Sequence, residues 1–210
     1  MGKVKETIAQ VLLSVGCIKV SPQKPFLYAS GLMGPIYCDN RKILSFVNER
    51  DTICKALIDL VKESNCTYKI IAGLATAGIP HAAFLADRLK RPMIYIRGAA
   101  KDHGQQNQIE GNYQAGDRII LIEDLVNQGK SVGEAIMASK DAGLNPVACF
   151  SIVDYEMKKA REILNNHQLP LFSLTNFSSI IKVANQLSKF TKQELEILTK
   201  WQQDPVNWNL

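Results

Sequence analysis

The stretch RIILIEDLVNQGKSVGEA, residues 118–135, runs from an apolar segment through two adjacent acids and a glycine-containing loop into a segment of helical pattern. A near-continuous apolar run is typical of a parallel strand that is buried on both faces. In open α/β sheets, ligands bind beyond the carboxyl ends of such strands. The stretch therefore predicts a strand, a ligand-binding loop and a helix, with Glu123 and Asp124 at the end of the strand.

The same alternation of strand and helix continues on both sides of this stretch. Apolar runs predict strands at KIIAGL (69–74), PMIYIR (92–97), RIILIE (118–123) and VACFSIV (147–153). Helical spacing predicts helices at 4–15, 53–61, 78–90, 131–143 and 155–166, and a last helix around Leu195, Leu198 and Trp201. These elements predict a single α/β domain over residues 1–210, with a parallel sheet flanked by helices.

Two segments interrupt this order. Residues 18–45 are rich in proline and glycine and contain short β-like pieces, which predicts a small irregular cap that we call the hood. Residues 98–112 are polar and contain glycine, and a loop longer than about 12 residues inside a domain often acts as a lid. We therefore expect the second segment to be a mobile loop.

Composition and charge exclude several classes of protein. No apolar run approaches the roughly 20 residues that span a bilayer, and the polar start lacks the apolar core of a signal peptide, so we expect a cytoplasmic protein without membrane contact. The five cysteines are widely spread and lack the spacing of a zinc site, which indicates reduced structural thiols. The net charge of +5 is scattered, which favours an anionic small-molecule ligand over nucleic acid.

The Gly-Lys-Ser at 129–131 invites comparison with a nucleotide-binding P-loop, but the spacing fails, because that motif needs glycine at the position of Asp124. Adjacent carboxylates can instead accept hydrogen bonds from the two vicinal hydroxyls of a ribose and stabilise a developing cation at the sugar. The loop 126–131 and the helix after it can present backbone N–H groups to a phosphate. A ribose 5-phosphate fits both halves of this motif.

Two other stretches follow predicted strands. In AGLATAGIPHA (72–82), a glycine turn leads into a helix whose N-terminal amides can hold a phosphate, although ordinary turns also have this composition. In RGAAKDHGQQNQIEG (97–111), Arg97, Lys101 and His103 lie close together on a polar segment, which is either a solvated loop or a cationic lid.

These motifs together resemble a known family. The segment ILIEDLVNQGKS (120–131) resembles the phosphoribosyl-pyrophosphate (PRPP) signature of the type I phosphoribosyltransferases. The segments FLYASGLMGPIYCDNR (26–41), AGLATAGIP (72–80) and RGAAKDHGQQNQIEG (97–111) resemble the orotate phosphoribosyltransferases of that family. The resemblance implies the type I phosphoribosyltransferase fold, a parallel sheet with a small N-terminal hood, and the synthesis of orotidine 5′-monophosphate from orotate and PRPP in de novo UMP formation.

The resemblance also implies roles for individual residues. It assigns PRPP binding to Thr76, Ala77, Gly78, Arg97, Lys101, His103, Glu123, Asp124, Leu125, Val126, Asn127, Gln128, Gly129, Lys130 and Ser131. Lys101, His103 and Asp124 are implied to be catalytic, and Gln128 and Tyr37 are implied to contact orotate. The family further implies Mg²⁺ bound through PRPP rather than through protein side chains, and a homodimer in which the mobile loop reaches into the partner's site.

The sequence departs from the family at two positions of the loop that the resemblance places near the phosphate and the base. Positions 127 and 128 usually carry small residues, often threonine or serine, and here they are Asn127 and Gln128. Two alternatives therefore stay open. One is a transferase for another base, and the other is a PRPP-sensing regulator without catalysis, although no helix-turn-helix pattern precedes the hood.

Overall fold

The structure, a computed structural model, describes residues 2–28, 31–98 and 108–208. The α-helices in these ranges are α1 (Gly2–Val15), α2 (Val47–Glu63), α3 (Gly78–Leu89), α4 (Lys130–Asp141), α5 (Lys158–Asn166), α6 (Phe177–Gln186) and α7 (Lys192–Gln203). The strands are β1 (Ile18–Val20), β2 (Phe26–Leu27), β3 (Met33–Gly34), β4 (Ile36–Cys38), β5 (Ile70–Leu74), β6 (Met93–Ile96), β7 (Ile109–Glu110), β8 (Arg118–Val126), β9 (Asn145–Asp154) and β10 (Leu171–Asn176). A 3-10 helix, Asn40–Ser45, links the hood to α2.

The main sheet has six strands in the order β10-β9-β8-β5-β6-β7. All neighbouring strands are parallel except β6 and β7, which are antiparallel. This confirms the predicted parallel sheet flanked by helices. Because β8, β5 and β6 are neighbours and parallel, the residues that follow them meet at one edge of the sheet.

Apolar burial explains why these runs form strands. All five residues of β5 are buried, and residues 119–122 of β8 are fully buried. Helices cover the sheet with apolar faces, as in α1, where Ile8 and Leu12 are buried. Each fully buried aliphatic side chain contributes about 1.5–3 kcal/mol, so this core is the main source of stability.

The hood consists of two small antiparallel pairs, β1 with β4 and β2 with β3. An isolated two-stranded pair is marginally stable in water, so the hood needs contacts with the body of the protein. Asn40 Nδ2 donates to the backbone carbonyl of Asp124 over 2.9 Å, and Lys42 Nζ donates to the carbonyl of Gly16 over 3.0 Å. The first of these bonds joins the hood directly to the carboxyl end of β8.

Several boundaries differ from the sequence predictions. The helix predicted at 155–166 begins at Lys158, because β9 extends to Asp154 and Glu156 has a positive φ of 57°, which is incompatible with a helix. Ile109 and Glu110, inside the predicted loop 98–112, form β7, and residues 99–107 of that loop lie outside the described residues. Sequence periodicity did not predict β10 and α6. The helix around Trp201 is confirmed as α7.

Candidate active site

The two adjacent acids lie near the carboxyl end of β8. Glu123 is only 6% exposed, and it accepts hydrogen bonds from the Asp124 N–H over 2.9 Å and from the Ser131 hydroxyl over 3.1 Å. Burial raises the pKa of the Glu123 carboxyl well above its ordinary value, and the neighbouring charge of Asp124 raises it further. Glu123 therefore ties the strand end to the loop, while the half-buried Asp124 is the more accessible carboxylate.

The loop after β8 leads into α4 through Gly129. This residue has a φ of +78°, and a Cβ atom there would lie 2.9 Å from Ala160 Cα, so only glycine fits the turn. Gly129 caps α4 without a side chain. The first backbone N–H groups of α4 have no partner inside the helix, which makes this end of the helix suitable for an anion.

A cavity of about 370 Å³ opens beside this loop. It is lined by Tyr28, Leu125, Asn127, Gln128, Gly129, Lys130, Ser131 and Glu134. Within the described part of the chain, the buried Asn127 Oδ1 has no hydrogen-bond partner. Since buried polar atoms nearly always have partners, a donor group on a bound ligand would complete this site.

The end of β5 contributes the turn Thr76–Gly78. The peptide bond between Ala75 and Thr76 is cis. A Cβ atom on Gly78 would lie 2.2 Å from the carbonyl oxygen of Ile122, so glycine is required for α3 to approach β8 this closely. The N-terminus of α3 therefore lies beside the acids of β8.

The end of β6 contributes Arg97. Its backbone N–H donates to the Gln108 carbonyl over 2.8 Å, and Gln108 Nε2 donates back to the Arg97 carbonyl over 2.8 Å. The guanidinium lies 3.8 Å from the Glu110 carboxylate. Lys101 and His103, the other predicted cations, lie outside the described residues.

Sequence reasoning missed two contributors from the hood. Tyr28 lines the cavity together with Gln128, and Asn40 is fully buried and holds the backbone of Asp124. The predicted base contact, Tyr37, lies on β4 with its ring 5.4 Å from that of Phe26, and its contact with a base stays a prediction. Nothing in the local sequence around Asn40 indicates its distant partner.

His81 lies in the first turn of α3 and is 2% exposed. Burial lowers its pKa to about 4, although the negative charge of Asp124 opposes this shift. His81 is therefore neutral in the folded protein at physiological pH.

This shift predicts a specific loss of stability in acid. Between about pH 6.5 and pH 4 the unfolded state binds a proton at His81 that the folded state does not, so the free energy of unfolding falls by up to about 1.4 kcal/mol per pH unit of acidification. In His81→Asn we expect a shallower slope over this window, measured by urea unfolding at several pH values. Equal slopes in the two proteins would contradict the assignment.

The sequence of this chain is similar to a known protein family and to proteins of known function. The model of the phosphoribosyl transferase domain family matches residues 46–184. The orotate phosphoribosyltransferase of Enterococcus faecalis is 41% identical over 208 residues, which cover 99% of both chains. That of Levilactobacillus brevis is 42% identical over 203 residues, which cover 97% of both chains.

Solved structures share the fold. The structure of Leishmania donovani UMP synthase is similar with a TM-score of 0.81 and 24% identity over 95% of this chain and 42% of that one. The orotate phosphoribosyltransferase of Aeropyrum pernix is similar with a TM-score of 0.72 and 24% identity over 86% of this chain and 99% of that one. At 24% identity, these two similarities support the fold of the chain and nothing further.

Proposed function

This chain belongs to the orotate phosphoribosyltransferase family, and we propose that it transfers the phosphoribosyl group at the carboxyl ends of β5, β6 and β8. It converts orotate and PRPP to orotidine 5′-monophosphate and pyrophosphate, a step of de novo UMP biosynthesis. The family resemblance seen in the sequence is confirmed. The observation that supports this location is the order of acids, loop and helix N-terminus beside one cavity.

The sugar and its phosphate are held by β8 and its loop. Asp124 faces the ribose hydroxyls, and Glu123 supports this end of the strand through its bonds to the Asp124 N–H and the Ser131 hydroxyl. The backbone of residues 125–131 and the N-terminus of α4 hold the 5-phosphate. The cavity of about 370 Å³ beside this loop supports the assignment. The unpartnered Asn127 Oδ1 accepts a hydrogen bond from a ribose hydroxyl rather than from the phosphate, which has no donor to offer.

The pyrophosphate is bound by the turn Thr76–Gly78 and by Arg97, with Lys101 and His103 from the loop. We propose that Mg²⁺ is bound mainly by the oxygens of PRPP rather than by protein side chains, as the family resemblance implies. When bound, Mg²⁺ supplies positive charge that stabilises the pyrophosphate.

The chemistry follows from this distribution of charge. The bond between the anomeric carbon and the pyrophosphate oxygen breaks, its electron pair leaves with pyrophosphate, and the ribose gains positive character. Asp124 stabilises that charge, while Arg97, Lys101 and protonated His103 stabilise the leaving group. The N1–H bond of orotate breaks as N1 forms the new bond to the anomeric carbon, and the proton passes to the departing pyrophosphate or to solvent. Closure of the loop excludes water from the reactive sugar.

The base lies between the hood and the loop. Gln128 is 9% exposed and lines the same cavity as the hood residue Tyr28, so its amide can hydrogen-bond the pyrimidine. We assign Tyr37 to the same pocket from its place in the hood. The amide of Gln128 replaces the smaller hydroxyl side chains that the family usually carries there.

The assembly and location belong to the same proposal. We propose that residues 1–210 act as one domain in a homodimer whose mobile loops complete the partner's site. We also propose a cytoplasmic location, which the five free cysteines support, because thiols persist in a reducing compartment. None of the described helices is both long and apolar enough to cross a membrane.

The test is a direct assay of the purified protein. With PRPP and Mg²⁺ present, we expect orotate to disappear, followed by its ultraviolet absorbance, with stoichiometric release of pyrophosphate. Hypoxanthine, adenine and uracil serve as control bases and are expected to leave PRPP intact. Turnover of another base instead of orotate would contradict the proposal, and PRPP binding without any turnover would favour a sensing role.

A further inference from the structure

An aromatic cluster joins the C-terminal helix to the hood. The ring of Trp201, in α7, lies 5.9 Å from Tyr28 of the hood, 5.9 Å from Tyr155 after β9 and 6.0 Å from Phe177 at the start of α6. These separations lie in the range of favourable aromatic contacts. Trp201 is 1% exposed, so a single buried ring contacts both the hood and the body of the protein.

Trp201 also holds the hood by a hydrogen bond. Its indole Nε1–H donates to the backbone carbonyl of Met33, in β3, over 3.3 Å. Strands β2 and β3 contain two residues each, and such a pair is not stable by itself, so external contacts determine its position. Tyr28, directly after β2, donates from its hydroxyl to the carbonyl of Ile36, which ties it to the other hood sheet.

The same helix lies beside the loop that follows β8. A second cavity, of about 530 Å³, is lined by Gln128 and Glu156 together with residues 202–206. Gln202 Nε2 donates to the carbonyl of Glu156 over 3.4 Å. α7 therefore contacts the hood through Trp201 and borders Gln128 through its C-terminal end, while Tyr28 and Gln128 line the first cavity together.

We propose that Trp201 is a positioning residue for the base, because it sets the separation between the hood and the loop at 125–131. This inference rests on the proposed function, in which orotate lies between Tyr28 and Gln128. Among the described residues, the ring contacts and the hydrogen bond of Trp201 are with Tyr28, Tyr155, Phe177 and Met33, none of which is assigned to PRPP. Loss of the indole donor therefore weakens orotate binding and leaves PRPP binding unchanged.

The test is Trp201→Phe, which keeps an aromatic ring and removes the N–H donor. We expect the KM for orotate to rise about three- to tenfold, the effect of one hydrogen bond, with the KM for PRPP and kcat nearly unchanged. Trp208→Phe is the matched control and is expected to match the wild type. A merely structural role would lower kcat through loss of folded enzyme and leave the orotate KM unchanged, and that result would overturn the proposal.

The wild-type assay separates this inference from the proposed function. A wild-type protein that releases no pyrophosphate with orotate would overturn the function itself. If the wild type is active and Trp201→Phe has the same KM for orotate as the wild type, only the positioning role would be overturned.

A binding measurement tests the same point without turnover and without altering Trp201. The chain has two tryptophans, so Trp208→Phe leaves Trp201 as the only one. We expect orotidine 5′-monophosphate to change the Trp201 emission, after correction for nucleotide absorbance, while ribose 5-phosphate, which lacks the base, leaves it unchanged. Equal responses to the two ligands would overturn the coupling between Trp201 and the base pocket.

Discussion

Asp124→Asn is expected to lower kcat by about 10²–10³-fold, because the amide keeps the size of the side chain but lacks the negative charge that we propose faces the cationic sugar. The stability should change little, since the backbone carbonyl of Asp124, rather than its carboxylate, accepts the hydrogen bond from Asn40. PRPP binding, measured by calorimetry, should weaken much less than kcat falls, because an amide still accepts hydrogen bonds from ribose hydroxyls.

The control for Asp124→Asn is Asp87→Asn, which removes an acid from an exposed ion pair with Lys90 on the surface. We expect this variant to keep wild-type kcat, since surface ion pairs contribute little. If Asp124→Asn retained more than about a tenth of wild-type kcat, the electrostatic role of Asp124 would be refuted, because charge stabilisation of this kind contributes about 10²–10³-fold.

Mixing two inactive variants should restore activity if the loop completes the partner's site. Lys101→Ala and Asp124→Ala homodimers should each lose nearly all turnover. In a mixed dimer, one site carries both changes and the other carries none. After full exchange of equal amounts we expect about a quarter of wild-type activity, because half of the dimers are mixed and each has one intact site.

The matched control mixes Lys101→Ala with His103→Ala. Both changes lie in the loop, so every site of a mixed dimer receives one defective loop, and no recovery is expected. Subunit exchange is followed by mass spectrometry of differently tagged chains. Complete exchange of Lys101→Ala with Asp124→Ala without any recovery would show that the loop acts within its own subunit, and the shared site would be rejected.

Local patterns predicted much of the sheet and of the loop after β8. The apolar run at 118–123 and the helical pattern after Gly129 are signals carried by residues close together in the chain. Both predicted elements are confirmed, as β8 and α4. The strand β10 and helix α6 were missed. β10 has only two buried residues, Leu174 and Thr175, so its sequence carries little of the continuous apolar signal of a central strand.

The candidate site was predictable only in part. The acids and glycines at the strand ends were found because backbone N–H groups at a helix start and carboxylates at a strand end have a recognisable order. The burial of Glu123 was not predictable, since it depends on Ser131 and on the elements that cover β8. The contributions of Tyr28 and Asn40 were missed for the same reason.

The local order of strand, acids, loop and helix can be read from the sequence, because hydrophobic periodicity and glycine turns act over a few residues. Which strand ends and hood residues come together depends on the tertiary fold. The bond from Asn40 to Asp124 spans 84 positions, and the bond from Trp201 to Met33 spans 168. Such contacts form only when the core brings distant segments together. The shape of the pocket between the hood and the loop therefore depends on long-range packing and cannot be read from the local sequence.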